Sequence, residues 1–221
     1  MTKQKLEPAK PLNPGAPKSR GRPKVTAQQA AAMRANIRAH ARRLFQEEGY
    51  ASISMRRLAR EVGCTPMTLY KYFDNKIDIL RDLWAQVFND LFDEIDKAIA
   101  TKSSPESILN ITARTYVAYW LDHVDHYRMV FMTEGVSQPE VSIFVGDEPV
   151  MARFGIFQTV VAAVVSKEAG DETAGEALRL KVDLLMCTLN GIAHSLITIS
   201  AYPWSKPDKI VDAAVTGILN S

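Results

Sequence analysis

Cysteine is scarce in this chain: Cys64 and Cys187 are the only two among 221 residues. That density excludes a disulfide framework and points to a reducing, cytoplasmic compartment. Long apolar runs are missing too. The longest, residues 160–165, is far too short to cross a bilayer. The basic N-terminal stretch lacks the apolar core of a signal peptide. A soluble protein with no membrane partner is therefore expected. No glycine-rich phosphate loop, nucleophile signature or convincing metal set occurs. The expectation is accordingly no enzyme activity, no catalytic residue, no metal and no cofactor.

What the chain does have is a steep charge asymmetry. Residues 1–81 carry 17 Lys and Arg against 6 Asp and Glu, a balance of +11, and residues 82–221 carry 10 against 19, a balance of −9. The near-neutral total of +2 hides this split. A polyanion-binding N-terminal third joined to a body of different purpose is the simplest physical reading.

Five of the eleven prolines and seven basic residues fall in residues 1–25 without apolar periodicity. That composition predicts a disordered basic tail. Within it, Arg20-Gly21-Arg22-Pro23 resembles the AT-hook core, whose arginines enter a narrow minor groove. The alternative is a solvating tail that meets phosphates non-specifically; either way Arg20 and Arg22 add salt-dependent DNA affinity.

From about Thr26 apolar residues recur at helical spacing, with Ile37, Ala41, Leu44 and Phe45 forming a core face. Arg34, Arg38 and Arg42 stripe another face, read either as solvated or as touching a DNA backbone. Gly49-Tyr50 stops this helix. Two short, separately punctuated helices follow. Ser54 caps the first, with Ile53 and Leu58 at hydrophobic-staple spacing, and Gly63 suits its left-handed end. Thr65-Pro66 is a cap followed by proline at the first helical position, with Cys64 and Leu69 as the staple. Two capped helices around one glycine match a helix-turn-helix whose second helix starts at Thr65.

Asp74-Asn75 should then cap a long helix from about Lys76 to Thr101. Its apolar stripe is Leu80, Trp84, Val87, Phe88, Leu91 and Ile95, with Asp90, Asp93, Glu94 and Asp96 exposed. Further helices are expected over 105–122, 125–134, 147–169, 171–201 and 207–220, with a loop over 135–149. The fold class is all-α. The expected division is a tail over 1–25, a helix-turn-helix domain over 26–81 and a regulatory and dimerisation bundle over 82–221.

The residues 35–81 resemble the N-terminal domain of the TetR (tetracycline-repressor-like) transcriptional regulators. The shared pattern runs through Leu44-Phe45, Gly49-Tyr50, Ile53-Ser54-Met55, Leu58-Ala59, Val62-Gly63, Leu69-Tyr70-Lys71-Tyr72-Phe73, Lys76 and Leu80. The resemblance implies a cytoplasmic homodimer on a palindromic double-stranded operator, released by a small-molecule effector of unknown identity, most simply a repressor. It implies phosphate contact from Ser54 and Met55 at the supporting helix. Base-edge reading is implied for Thr65, Pro66, Met67 and Thr68, with contacts from Tyr70, Lys71 and Tyr72 and a phosphate-binding Lys76. Met67 departs from the family pattern, which places a small residue or glycine there. Tyr116, Trp120, Phe131, Phe154 and Phe157 supply candidates for an effector pocket, with Asn190 and His194 as its polar groups or simply as satisfied buried polar residues. Leu180, Leu184, Leu185, Thr188 and Ile218 stand in register for a dimer interface, or for burial within one subunit.

Two rivals belong to other classes. An architectural DNA-binding protein would use the same helix-turn-helix without an effector or sequence preference. An enzyme would have to use residues 122–126, where His123 and His126 lie three apart; capping and exposed histidines at a helical corner explain that cluster better.

Overall fold

In the computed structural model, residues 26–136, 148–165 and 173–220 are described, and among them nine helices and no strand occur. The tail with Arg20 and Arg22 and most of the loop expected over 135–149 lie outside these residues.

The helices begin where side chains satisfy backbone N–H groups left open by helical geometry. Helix α1 (Ala27–Glu48) starts with a reciprocal capping box between Thr26 and Gln29. Helices α2 (Met55–Val62) and α3 (Pro66–Leu69) are capped by Ser54 and Thr65 as expected. Between them Gly63 adopts φ 75°, ψ 30°, the left-handed conformation that glycine enters without strain. Asn75 caps α4 (Lys76–Ile99) and Ser104 caps α5 (Pro105–Asp122).

Then come α6 (Val124–Phe131), α7 (Glu148–Val165), α8 (Thr173–Thr198) and α9 (Pro207–Leu219). Most described ends fall within two residues of expectation, and two fall three residues short. Helix α6 stops at Phe131 rather than 134, with Met132 as its C-cap and Gly135 at φ 78° just beyond. Helix α8 stops at Thr198 rather than 201, and residues 200–202 turn and bend ahead of Pro203.

Helix α4 is the spine. Its stripe from Leu80 to Ile95 is buried, and one continuous core runs from Ile37 and Leu44 of α1 through α4 to the aromatics of α5. The boundary expected between residues 81 and 82 therefore falls inside a helix packed on both bodies. Two arginines of the α1 stripe, Arg38 and Arg42, are half-buried and reach across this junction, while Arg34 stays exposed. Arg38 Nη1 pairs with Asp82 at 3.4 Å, and Arg42 Nη2 donates to Gln86 at 3.4 Å. On the far side, Trp84 Nε1 donates to the Met129 carbonyl at 2.8 Å, fastening α4 to α6.

Helix α8 packs on α5, α7 and α9. Its span Gly175–Thr198 is the one among the described residues long and apolar enough to cross a membrane, at mean hydropathy 1.2. Reading for unbroken apolar runs misses it because Asp183, Thr188, Asn190 and His194 interrupt the pattern.

Candidate nucleic-acid interface

The edge formed by α3 and the turn after it is built from a small buried base. Leu69 and Phe73 are buried against Leu58 and Ala59 of α2 and the core face of α1. This burial turns their neighbours outward. Met67 is 73% exposed and Tyr70 49%, the largest exposures of large apolar side chains among the described residues of the N-terminal half, and Pro66 and Lys71 are exposed beside them. A methionine standing free in water at the start of a helix contributes nothing to the core. It leaves a polarizable apolar surface for contact with a partner.

The two threonines are not independent. Thr65 Oγ1 accepts from the Thr68 backbone N–H at 3.2 Å and lies 3.0 Å from Thr68 Oγ1. Thr65 is thus half committed to capping, and Thr68, half-buried, shares its hydroxyl with it. Ser54 is likewise the cap of α2, accepting from Arg57 N–H at 3.2 Å, while Met55 is half-buried against the core. Tyr72 is half-buried and packs on the core as well.

Lys76, expected as a phosphate ligand, is half-buried and has partners within the protein. Its ammonium donates to the Tyr50 carbonyl at 2.7 Å and stands 4.0 Å over the Tyr50 ring. It joins α4 to the α1–α2 loop; Lys71 is the exposed cation of this edge.

The arginines divide in the same way. Arg43 pairs with Glu47 and Glu61, and Arg57 with Glu48 and Glu61, a surface lattice that locks α1 to α2. The hydrogen bond donated by Arg43 is the main cause that holds the Glu61 carboxyl below its ordinary range, and the one Arg57 donates to Glu48 chiefly raises Arg57. Arg56 and Arg60 of α2, four residues apart, are exposed and form no ion pair among the described residues. Sequence reasoning passed over both. The signal was present, since the i, i+4 spacing sets them on the side away from Leu58 and Ala59. Cys64 packs on the core, and burial pushes its thiol up, away from reactive thiolate.

The expected effector residues form a close-packed aromatic cluster. Trp120 sits at its centre, with ring centroids 6.0 Å from Tyr116, 5.2 Å from Phe131 and 5.9 Å from Phe88. Phe157 packs edge-on to Tyr116 at 5.5 Å, and Phe154 on Phe92 at 4.9 Å. Phe131 is on the rim, 44% exposed. Asn190 accepts from Tyr116 Oη at 2.8 Å, and exposed His194 lies 3.1 Å from Tyr127 Oη. Trp120 Nε1 and Thr112 Oγ1 are buried without a hydrogen-bond partner among the described residues. His123 and His126 stack at 5.1 Å, yet no group of three His, Cys, Asp or Glu among the described residues is placed to hold a metal.

Of the expected dimer residues, Leu180 and Leu184 are exposed on α8, and Thr188 and Ile218 are half-buried. Leu185 is corrected: at 1% exposure it belongs to its own subunit's core, one step around the helix from Leu184.

Comparison with known proteins agrees with this geometry. Residues 37–83 match the bacterial regulatory proteins of the tetR family. The chain is 23% identical over 180 residues to the HTH-type transcriptional activator FasR of Mycolicibacterium smegmatis, covering 79% of this chain and 74% of that one. In fold it is similar to the fatty acid degradation regulator FadR of Bacillus halodurans, at TM-score 0.66 and 16% identity, covering 85% of this chain and 94% of the other. A protein of Mesorhizobium loti assigned to the TetR-family regulators superposes at TM-score 0.63 and 18% identity, over 87% and 97% of the two chains. The N-terminal helices are thus similar in sequence to the tetR family of bacterial regulatory proteins, and the whole all-α chain is similar in fold to solved members of it.

Proposed function

We propose that the protein is a cytoplasmic homodimeric regulator that binds a palindromic DNA operator and is released by a small effector, acting as a repressor. The observation that carries the DNA reading is the edge from Pro66 to Lys71, where an apolar Met67 and a cationic Lys71 stand exposed on a rigid buried base. Bases would be met by Met67, Pro66 and Thr68, and phosphates by Lys71, Arg56 and Arg60. Thr65, Ser54 and Lys76 support the edge from behind.

Two half-sites require two copies. Leu180 and Leu184 with Ile199, Tyr202 and Trp204 form exposed apolar surface on and after α8, which a second copy would cover. The effector would enter among Tyr116, Trp120 and Phe157, an apolar site with Asn190 as its polar group. It must favour a spacing of the two heads that fits the operator poorly.

An activator is the second reading, supported by the name of the Mycolicibacterium relative. Selecting genomic fragments with the purified protein, then placing the selected site before a reporter, tests the proposal. A palindromic motif and reporter output that rises when the protein is deleted are expected. Output that falls on deletion indicates an activator, and fragments without a shared motif reject the regulator in favour of an architectural role.

A further inference from the structure

A cavity of about 400 Å³ opens between the N-terminal helices and α6, lined by residues other than those proposed for the effector. One wall is the end of α1 and the loop after it, and the other is α6 and the residues that follow. Phe45, Tyr50, Met129 and Met132 supply its apolar lining. Glu48, Asp125 and Glu134 bring three carboxylates to it against the single guanidinium of Arg128. Asp125 and Glu134 form no ion pair among the described residues, whereas Glu48 is shared with Arg57.

Aromatic and thioether surface beneath an excess of carboxylate favours a cation with an apolar body: the charge pairs at the rim while the body is desolvated on the rings. An anion would meet a net negative rim. We propose that this cavity binds an amphipathic organic cation of roughly a substituted-benzyl size, and so bridges the head and α6.

Its walls are anchored on both sides. Tyr50 is held through its carbonyl and ring by Lys76, and the Met129 carbonyl is held by Trp84 Nε1. Beside the cavity, a Cβ on Gly135 would come within 3.2 Å of the Ala51 side chain, so the two bodies already touch there. An occupant would therefore bear on the angle of the head without passing through the bundle core.

Titration calorimetry on the full chain tests this, with benzyltrimethylammonium as probe and benzenesulfonate as its anionic counterpart. The ammonium should bind saturably and the sulfonate should not compete. Replacing both carboxylates, Asp125→Asn with Glu134→Gln, should weaken the ammonium by about two- to thirtyfold, two exposed charge pairs' worth. The matched double replacement Asp122→Asn with Asp208→Asn should leave it unchanged. Absent binding, competition by the sulfonate, or equal affinity in the Asp125/Glu134 variant overturns the site. The effect on DNA rests on the regulator reading above. Saturating ammonium should shift operator affinity, and intact binding with an unmoved operator affinity overturns the bridging role while leaving the site itself in place.

Discussion

Lys71 and Lys76 lie five residues apart and do different work. Lys71 is exposed at the reading edge, whereas Lys76 is spent on the Tyr50 carbonyl and ring. Lys71→Ala should weaken operator binding and lower the slope of log affinity against log salt by about 0.9, the signature of one lost phosphate contact. Its unfolding midpoint in urea should not move. Lys76→Ala should do the reverse, costing about 1–2 kcal/mol of stability from a charged hydrogen bond and a cation–π contact, with an unchanged salt slope. Denaturant titration and salt-series binding on both variants decide the assignment; a reduced salt slope for Lys76→Ala restores it as a phosphate ligand. The family pattern marked both lysines alike, since a motif records residue type and position but not where an ammonium ends up.

At the scale of elements, the turn between α2 and α3 and the corner between α5 and α6 carry the clearest consequences. Gly63 has open space where a Cβ would stand, so Gly63→Ala meets only the left-handed backbone penalty, about 1–2 kcal/mol. Gly63→Asn should recover part of that loss in thermal unfolding, and an alanine variant as stable as the parent refutes the strain argument.

At the corner, His126 lies 3.0 Å from Tyr119 Oη and stacks on His123, while Tyr119 donates to the Val87 carbonyl. Burial chiefly, then Arg42 and His123, lowers its pKa below 6.5, against smaller opposing effects of Asp90 and Asp125. The folded state then binds fewer protons than the unfolded one in the window below 6.5, so this contribution is whole above that pH and is lost as pH falls towards the lowered value. The melting temperature of His126→Gln should consequently drop less between pH 7.5 and 5.5 than that of the parent; equal drops exclude His126 as the source.

Capping made these elements legible in advance. Ser54, Thr65, Asn75 and Ser104 each accept the backbone hydrogen bond their positions imply, because a cap is satisfied within four residues and needs no distant partner. The end of α6 that falls short of expectation is its C-terminus at Met132, where backbone rather than a capping side chain closes the helix.

For the molecule as a whole, adjacent leucines separate association from folding. Leu184 is 40% exposed and Leu185 is 1% exposed. Leu180→Asp with Leu184→Asp should give a folded monomer by sedimentation that no longer holds a two-half-site operator. Leu185→Ala should instead lower unfolding free energy by about 2–5 kcal/mol. Cys187 is exposed on the same helical stripe, seven residues from Leu180 and three from Leu184. Mild oxidation should hence yield a covalent dimer that Cys187→Ser abolishes; a dimer in solution that resists crosslinking places the interface elsewhere.

Sequence by itself determined what depends on neighbours along the chain: the helix starts, the left-handed Gly63, the turn-separated α2 and α3, and the basic N-terminal third. Family pattern added the expectation that Thr65 to Thr68 and Tyr70 to Tyr72 face DNA. Tertiary structure alone decided which like residues share a role, because that depends on partners 26 to 45 positions away. Lys76 meets Tyr50, Arg38 meets Asp82, and Trp84 meets Met129. It also decided that the aromatics of α5 and α7 close on one another, and that the open cavity lies between Tyr50 and Met129. Local hydrogen bonds are set by spacing, but cavities and ion pairs are set by which surfaces the packed helices bring face to face.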